Sequence, residues 1–319
     1  MATANSFFPP LVFNLYKPAG GGSQEIVRAL KRALPKGTYG KIGHFGTLDP
    51  FACGVLMVGV GGAARLNDLI HADCPKSYLA RGVLGISTDT GDPEGKVTQR
   101  DESSYLKDVI GSFDRVFVQQ CLAGFKGEYW QAPPAYSAAK HEGRPLHEWA
   151  RAGVEIKKEK VRREIYRCDV VAWEFPHLTI RVEVSSGTYV RTLFEEACQA
   201  LGTIGHLQFL EREAVGPVTK QSALLPETLP PAGAAVEAWL PLGLRPQDVL
   251  PYARRELQEG ERKTFLNGGA LLRSERETAA RSWLEDSSGE LLGLLQQDGD
   301  RWKVEINFAA SAQAARGLL

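Results

Sequence analysis

The chain has 319 residues, 43% hydrophobic and 24% charged, which is enough apolar content for one large core and a smaller one. Lys and Arg number 38, as do Asp and Glu, so the formal charge is +0; that neither calls for a nucleic-acid partner nor excludes one, because a basic groove can coexist with an acidic rear face. Five scattered cysteines without a C-x-x-C pair argue against a zinc site and a disulfide framework, and no apolar run reaches the length of a membrane span.

Residues 1–10 lack the basic and long apolar segments of a signal peptide, so the expectation is a cytoplasmic protein with no bound metal. Residues 11–15 read as a short strand, followed by a flexible Gly-rich turn. Ser23 stands where an N-cap belongs, before a helix at 24–34 with apolar residues at helical spacing, ended by Pro35. A Gly-rich stretch, 40–62, carries strand character at 54–60, and 63–70 reads as a helix. A strand is predicted at 77–84, an exposed turn-rich loop at 89–97 and a helix at 105–110. Residues 131–139 are too Pro-rich for a helix, and 146–152 reads as one. Strands at 164–175 and 178–184 flank a Pro176-His177 turn, and a helix at 190–201 is closed by Gly202.

Four prolines and many alanines at 225–243 mark a linker, giving predicted units at 1–225 and 244–319 joined by 226–243. In the second unit a helix-like piece at 246–257 precedes a Gly268-Gly269 turn and strands at 291–295 and 302–306. Mixed elements without regular β-α alternation predict an α+β fold.

Three segments carry candidate chemistry. The first is Gly43-His44-Phe45-Gly46-Thr47-Leu48-Asp49-Pro50, a glycine-bracketed loop leading into a strand. Its glycines permit positive φ or close approach, and Pro50 biases Asp49 to an extended conformation. Taken alone, an Asp-Pro pair is an ordinary turn starter. The second is Ser185-Ser186-Gly187-Thr188-Tyr189-Val190-Arg191, which sets a guanidinium in the first turn of a helix, suited to a bidentate carboxylate pair or simply to solvent. The third runs from Gln131-Ala132-Pro133-Pro134-Ala135-Tyr136-Ser137 to Lys140, an extended loop that presents an aromatic, a hydroxyl and a lysine, either to RNA or simply as a rigid surface. Lys76-Ser77-Tyr78 opens a strand with an aromatic residue.

In content and order these segments resemble the TruB family of pseudouridine synthases, over roughly residues 11–220. The matches are K-P-x-G-x-x-S from Lys17 to Ser23, G-H-x-G-T-L-D-P-x-A-x-G-V-L from Gly43 to Leu56, K-x-Y at Lys76, Q-x-P-P-x-Y-S-A-x-K from Gln131, S-x-G-T-Y-[IV]-R from Ser185, and L-G-x-x-x-H-L-x-x-L-x-R from Leu201 to Arg212.

The resemblance implies a pseudouridine synthase fold with a mixed, mostly antiparallel central sheet. It implies isomerisation of uridine in the tRNA T-loop, position 55 by tRNA convention, with no cofactor. Asp49 matches the catalytic aspartate, Arg191 its arginine partner and Tyr78 the base-stacking tyrosine. Leu210 matches a pocket leucine and His44 a residue that holds the flipped nucleotide; Lys17 and Tyr189 are expected on the substrate side. Three departures stand out: Tyr16 where many relatives carry Asp, a Gly20-Gly21-Gly22 run more flexible than usual, and Glu211 where an arginine is common, a lost cation expected to weaken a phosphate contact. The C-terminal unit only loosely resembles a small β-rich PUA-like RNA-binding module.

Guide-RNA-dependent relatives usually carry basic tails. Residues 309–319 hold only Arg316, so a monomer acting on the T-arm without an obligate protein partner is expected. The competing readings are a guide-RNA-dependent synthase and a non-catalytic tRNA chaperone.

Overall fold

The computed structural model describes residues 8–154 and 156–309. The expectations for the two ends concern mostly residues outside that range.

The central sheet is built on β1 (Leu11–Lys17), β2 (Cys53–Val60), β3 (Lys76–Leu84), β4 (Gly127–Gln131), β5 (Val161–Glu174), β6 (His177–Val184) and β7 (Gly205–Val215). Their spatial order is β1-β2-β7-β3-β6-β5-β4; two short strands, Ile42–His44 and Val218–Thr219, add to β2 and β7. Every pairing along this path is antiparallel except β2 with β7, which is parallel at Cys53–Gly54. The fold is therefore α+β with a mixed, mostly antiparallel sheet. β2 is buried along its whole length, which explains its unbroken apolar run CGVLMVGV. β6 alternates buried and half-buried residues, the period-2 signature of a sheet with one covered face.

Helix α1 (Ser23–Ala33) packs Val27 and Leu30 against β1 and β2, and α4 (Val190–Ala200) packs Leu193, Phe194, Ala197 and Cys198 over β3 and β7. Gly82 is required beneath α4: a Cβ there would lie 2.3 Å from the Phe194 ring.

A second sheet of five strands lies at the C-terminal end: β8 (Ala253–Glu256), β9 (Leu271–Leu272), β10 (Arg281–Glu285), β11 (Leu291–Asp298) and β12 (Arg301–Asn307), in the order β8-β10-β11-β12-β9. Its Trp283, Leu294, Ile306 and Phe308 share one apolar cluster with Val12, Phe45, Val55 and Met57 of the large sheet and its loops.

Several elements differ from the sequence reading. The predicted helix at 246–257 is a single turn, Pro246–Val249, followed by strand β8; Pro251 lacks the N–H that would continue the helix. The predicted helix at 63–70 divides into a 3-10 segment, Gly61–Leu66, and a short helix α2, Asn67–Asp73. Helix α3, Arg115–Leu122, and strand β4 were not expected at all. The Pro/Ala-rich stretch is a packed strap: Val236 and Trp239 are buried, and Leu224 and Leu244 hydrogen-bond to the open edge of β1 at Asn14, Tyr16 and Val12. Covering that edge removes a row of unpaired backbone groups that would otherwise template aggregation.

Candidate active site

The loop between Ile42–His44 and β2 carries Asp49 and is held from several sides. Gly46 sits at φ +103°, a conformation that side chains rarely adopt, and this turns the chain toward the cavity. Gly43 has neither positive φ nor a close neighbour, so the conformational demand falls on Gly46 alone. Gly54 at the start of β2 is needed for a second reason: a Cβ there would lie 2.3 Å from the Arg212 carbonyl oxygen of the parallel strand.

Ser23 is not the N-cap of α1; that position belongs to Gly22. The Ser23 hydroxyl instead faces Leu48, donating to its carbonyl at 3.1 Å and accepting from its N–H at 2.9 Å. Lys17 is wholly buried and does not line the cavity. Its Nζ donates to the carbonyls of Pro18, Pro50 and Ala52 at 3.0, 3.0 and 2.6 Å, so it fixes the backbone on the far side of Asp49.

Arg191 lies in the first turn of α4, where the helix dipole disfavours a cation. Two carboxylates offset this: Nε is 2.9 Å from Asp49 Oδ2, and Nη1 is 3.5 Å from Asp92 Oδ2. Nη2 also donates to the Tyr136 carbonyl at 2.7 Å, which brings the Pro-rich loop to the same guanidinium. Gln131 pairs with the Tyr189 backbone in both directions, its Oε1 2.7 Å from the N–H and its Nε2 2.9 Å from the carbonyl. These bonds lock the two motifs together. Asp92 lies within the stretch expected to be an exposed loop, yet it is buried and bonded to Thr90 Oγ1 at 2.5 Å and Glu94 N at 3.0 Å. Its Asp-Pro sequence repeats that of Asp49, and only the fold distinguishes the two from ordinary turns.

The cavity in front of Asp49 holds about 230 Å³ and is lined by Leu48, Tyr78, Ser137, Tyr189, Leu210 and Arg212, among others. The strand register explains the grouping: Tyr78 pairs with Arg212 and Ala80 with Leu210 across β3 and β7, which puts Tyr78, Leu210 and Arg212 on one face. A larger cavity of about 440 Å³ lies between Phe8 and Leu11 and the C-terminal sheet, but it holds none of the expected site residues.

Of those residues, Asp49, Tyr78, Tyr189, Arg191 and Leu210 meet at the smaller cavity, while Lys17 and His44 do not line it. His44 Nε2 lies 3.0 Å from Gln24 Nε2, and burial together with Arg212 lowers its pKa, so the imidazole is neutral at pH 7. Burial raises the Asp49 carboxyl above its ordinary value, while the Arg191 guanidinium pulls it back. The Arg191 guanidinium at ion-pair distance and the 36% exposure of the Asp49 side chain both favour its charged form.

Residues 31–190 match the TruB family pseudouridylate synthase (N terminal domain). The chain is 36% identical over 266 residues to tRNA pseudouridine synthase B of Azoarcus sp. (strain BH72), covering 83% of this chain and 84% of that protein. It is 39% identical over 292 residues to the enzyme of the same name from Burkholderia mallei (strain NCTC 10247), covering 89% and 91%. The chain belongs to the TruB family. It is accordingly a pseudouridine synthase, an isomerase.

The fold is also similar to solved structures at lower identity. A chain of a Cbf5-Nop10-Gar1 complex matches with a TM-score of 0.67 at 22% identity, covering 96% of this chain and 86% of that one. A chain of the archaeal box H/ACA sRNP Nop10-Cbf5 complex matches with a TM-score of 0.64 at 20% identity, covering 93% and 86%.

Two of the departures from the TruB pattern, Tyr16 and Glu211, turn out to be one contact. Tyr16 Oη donates to Glu211 Oε1 at 3.0 Å, and Lys220 Nζ lies 2.6 Å from Glu211 Oε2. Strand alternation directs Glu211 away from the face that carries Leu210 and Arg212, so the acidic residue is neutralised on the opposite side of the sheet.

Proposed function

We propose that this enzyme isomerises the T-loop uridine of tRNA, position 55 by tRNA convention, with Asp49 as its catalytic carboxylate. The observation that carries this reading is the Asp49–Arg191 pair, 2.9 Å apart at the wall of a cavity that Tyr78 and Leu210 also line.

The reaction breaks the N1–C1′ bond of uridine and forms a C5–C1′ bond; N1 gains a proton and C5 loses one, so the formula is unchanged. A carboxylate fixed beside the ribose and base supplies what this requires, either a nucleophile or a base. Arg191 keeps Asp49 charged and aimed. The target base leaves its stack to reach the cavity at a cost of a few kcal/mol, and stacking on the Tyr78 ring offsets part of it. Leu210 and Leu48 supply apolar walls that limit water around detached uracil. His44 and Lys17 act on this reading from outside the cavity, Lys17 through the backbone around Asp49.

The substrate assignment rests on the relatives, which are named as tRNA pseudouridine synthases at 36–39% identity. We propose further that residues 1–225 form the catalytic unit, that 226–243 tie it to 244–319, and that the latter contacts the tRNA. The enzyme is proposed to act as a cytoplasmic monomer on the T-arm without a protein partner or cofactor. The test is incubation of the purified protein alone with unmodified tRNA transcript, followed by carbodiimide primer-extension mapping. One stop at the T-loop uridine, lost in Asp49→Asn while tRNA binding persists, is expected. An active Asp49→Asn enzyme refutes the catalytic assignment, and activity only with added guide RNA refutes the stand-alone one.

A further inference from the structure

One part of the cavity wall is basic and unneutralised. Gly46, His71, Lys76 and Arg212 all line the cavity. A methyl group placed on Gly46 would lie 3.5 Å from Arg212 Nη1, 3.7 Å from His71 Cε1 and 3.7 Å from Lys76 Cε, so three side chains converge on the space the glycine leaves open. Lys76 is 4% exposed and Arg212 1%.

Lys76 Nζ donates to the Cys74 carbonyl at 3.3 Å and to the Ser186 hydroxyl. Arg212 Nε and Nη2 donate to the carbonyls of Val55 and Gly46 at 2.7 and 3.0 Å, while its Nη1 has no hydrogen-bond partner among the described residues. Neither cation has a carboxylate within ion-pair distance among the described residues, whereas Arg191 in the same cavity has two. Buried charge is ordinarily paired, because unpaired it costs several kcal/mol. Two such charges facing one opening constitute a site for an anion.

We propose that Lys76, Arg212 and His71, converging beside Gly46, with Ser186 bonded to the Lys76 ammonium, form a subsite for one backbone phosphodiester of the RNA whose base enters the catalytic cavity. This rests on the reading that RNA is the substrate at that cavity. A nucleotide placed with its base and ribose near Asp49 carries its own phosphate with it, so the anion need not come from elsewhere. Burial, and then the positive charge of Arg212, bring the Lys76 ammonium from 10.5 down to about 8, as expected for a cation still lacking its counter-ion. Burial and Lys76 also lower the pKa of His71, leaving a neutral ring that donates or accepts a hydrogen bond without adding charge. Glycine is the residue that keeps the position open.

The test uses tRNA transcript and the full-length Asp49→Asn protein, so that binding is read without turnover. The dissociation constant is measured against KCl concentration. Lys76→Gln is expected to weaken binding about 10-fold at low salt and to make the log–log slope shallower by about 0.7–0.9, the counterion release of one phosphate. Lys76→Arg is expected to restore the slope, which separates lost charge from lost folding. T-arm stem-loops carrying single methylphosphonates then locate the contact: one position weakens the protein with Lys76 present and has no effect in Lys76→Gln.

An unchanged slope in Lys76→Gln overturns the subsite. If inorganic phosphate competes in a Lys76-dependent way and no methylphosphonate position matters, the site takes free phosphate and the RNA assignment falls. T-loop modification with an unchanged slope defeats this inference alone; a Lys76-dependent slope on tRNA that is never modified defeats the T-loop reading and leaves the subsite standing.

Discussion

Lys76→Met is expected to stabilise the free protein. The ammonium falls from an unfolded value of 10.5 to about 8 on folding, chiefly through burial. At 1.36 kcal/mol per unit, the charged form is penalised by ~3 kcal/mol in the native state. Methionine has a similar length and no charge to desolvate, but it gives up the bonds to Cys74 and Ser186, each worth about 1 kcal/mol. The net expectation is a gain of about 1–2 kcal/mol at pH 7, read as a higher urea midpoint at unchanged m-value.

The pH dependence gives an independent check. A lowered lysine pKa means that the native protein binds fewer protons than the unfolded chain between about 8 and 10.5. Wild-type stability therefore carries the full penalty below pH 8 and recovers as pH rises toward 10.5, whereas the variant shows no such recovery. The wild-type curve is expected to meet the variant's as pH rises and then to pass above it, because the recovery of ~3 kcal/mol exceeds the initial gap. A Lys76→Met protein less stable than wild type at pH 7, with a gap that does not change with pH, refutes the claim that Lys76 is an unneutralised charge. A gain in stability coupled to weaker RNA binding is the expected mark of a residue kept for its ligand.

Tyr78→Phe retains the ring and loses the hydroxyl; single-turnover rates are expected to fall by at least about 10-fold with little change in tRNA affinity, and an unchanged rate would remove the hydroxyl from the mechanism. Truncation after residue 243 is expected to unfold the protein and not merely weaken tRNA binding. Trp283, Leu294, Ile306 and Phe308 cover Val12, Phe45 and Met57, and each large buried side chain contributes about 1.5–3 kcal/mol. A soluble truncated chain that melts cooperatively near the full-length temperature would overturn this. RNA contacts of the C-terminal sheet are therefore better tested by exposed charge substitutions within the intact chain.

The sequence made some of this legible because local pattern and final structure agree. The β2 run is apolar because β2 is buried on both faces, and β6 alternates because one of its faces is covered. Motif order singles out Asp49 and Arg191, which the structure pairs at 2.9 Å, because it carries the long-range information that periodicity lacks. The misses share one cause: partners far away in sequence decide them. Asp92 sits in a polar turn, and α4 brings Arg191 to it across 98 intervening positions. Ser23 has the position and type of a helix cap, but the loop that claims its hydroxyl begins more than twenty residues later. Lys17 reads as a solvent-facing or substrate-facing cation; three carbonyls around it make it structural. The Pro/Ala-rich strap resembles a linker by composition, but Trp239 packing edge-on against Phe13 and the burial of Val236 hold it in place.

These contacts also explain why the motifs occur as a set. The opening motif supplies Lys17 and Ser23, which bind the backbone at Leu48, Pro50 and Ala52. The Arg212 motif binds Gly46 from the other end of the same loop, the Arg191 motif binds the Asp49 carboxylate, and the Gln131 motif binds the backbone of Tyr189 beside Arg191. Lys17, Ser23 and Arg212 thus act on seven residues of backbone, Gly46 to Ala52, while Arg191 binds the Asp49 carboxylate they carry and Gln131 steadies the backbone beside Arg191. On the proposed reading Asp49 must meet a ribose within a fraction of an ångström, and a loop held only by its own turn would sample several positions. Fixing it from four separate strands and helices removes that freedom before the substrate arrives. The ordering entropy is thereby met in folding and not in the transition state, so residues remote from the cavity contribute to the placement of Asp49.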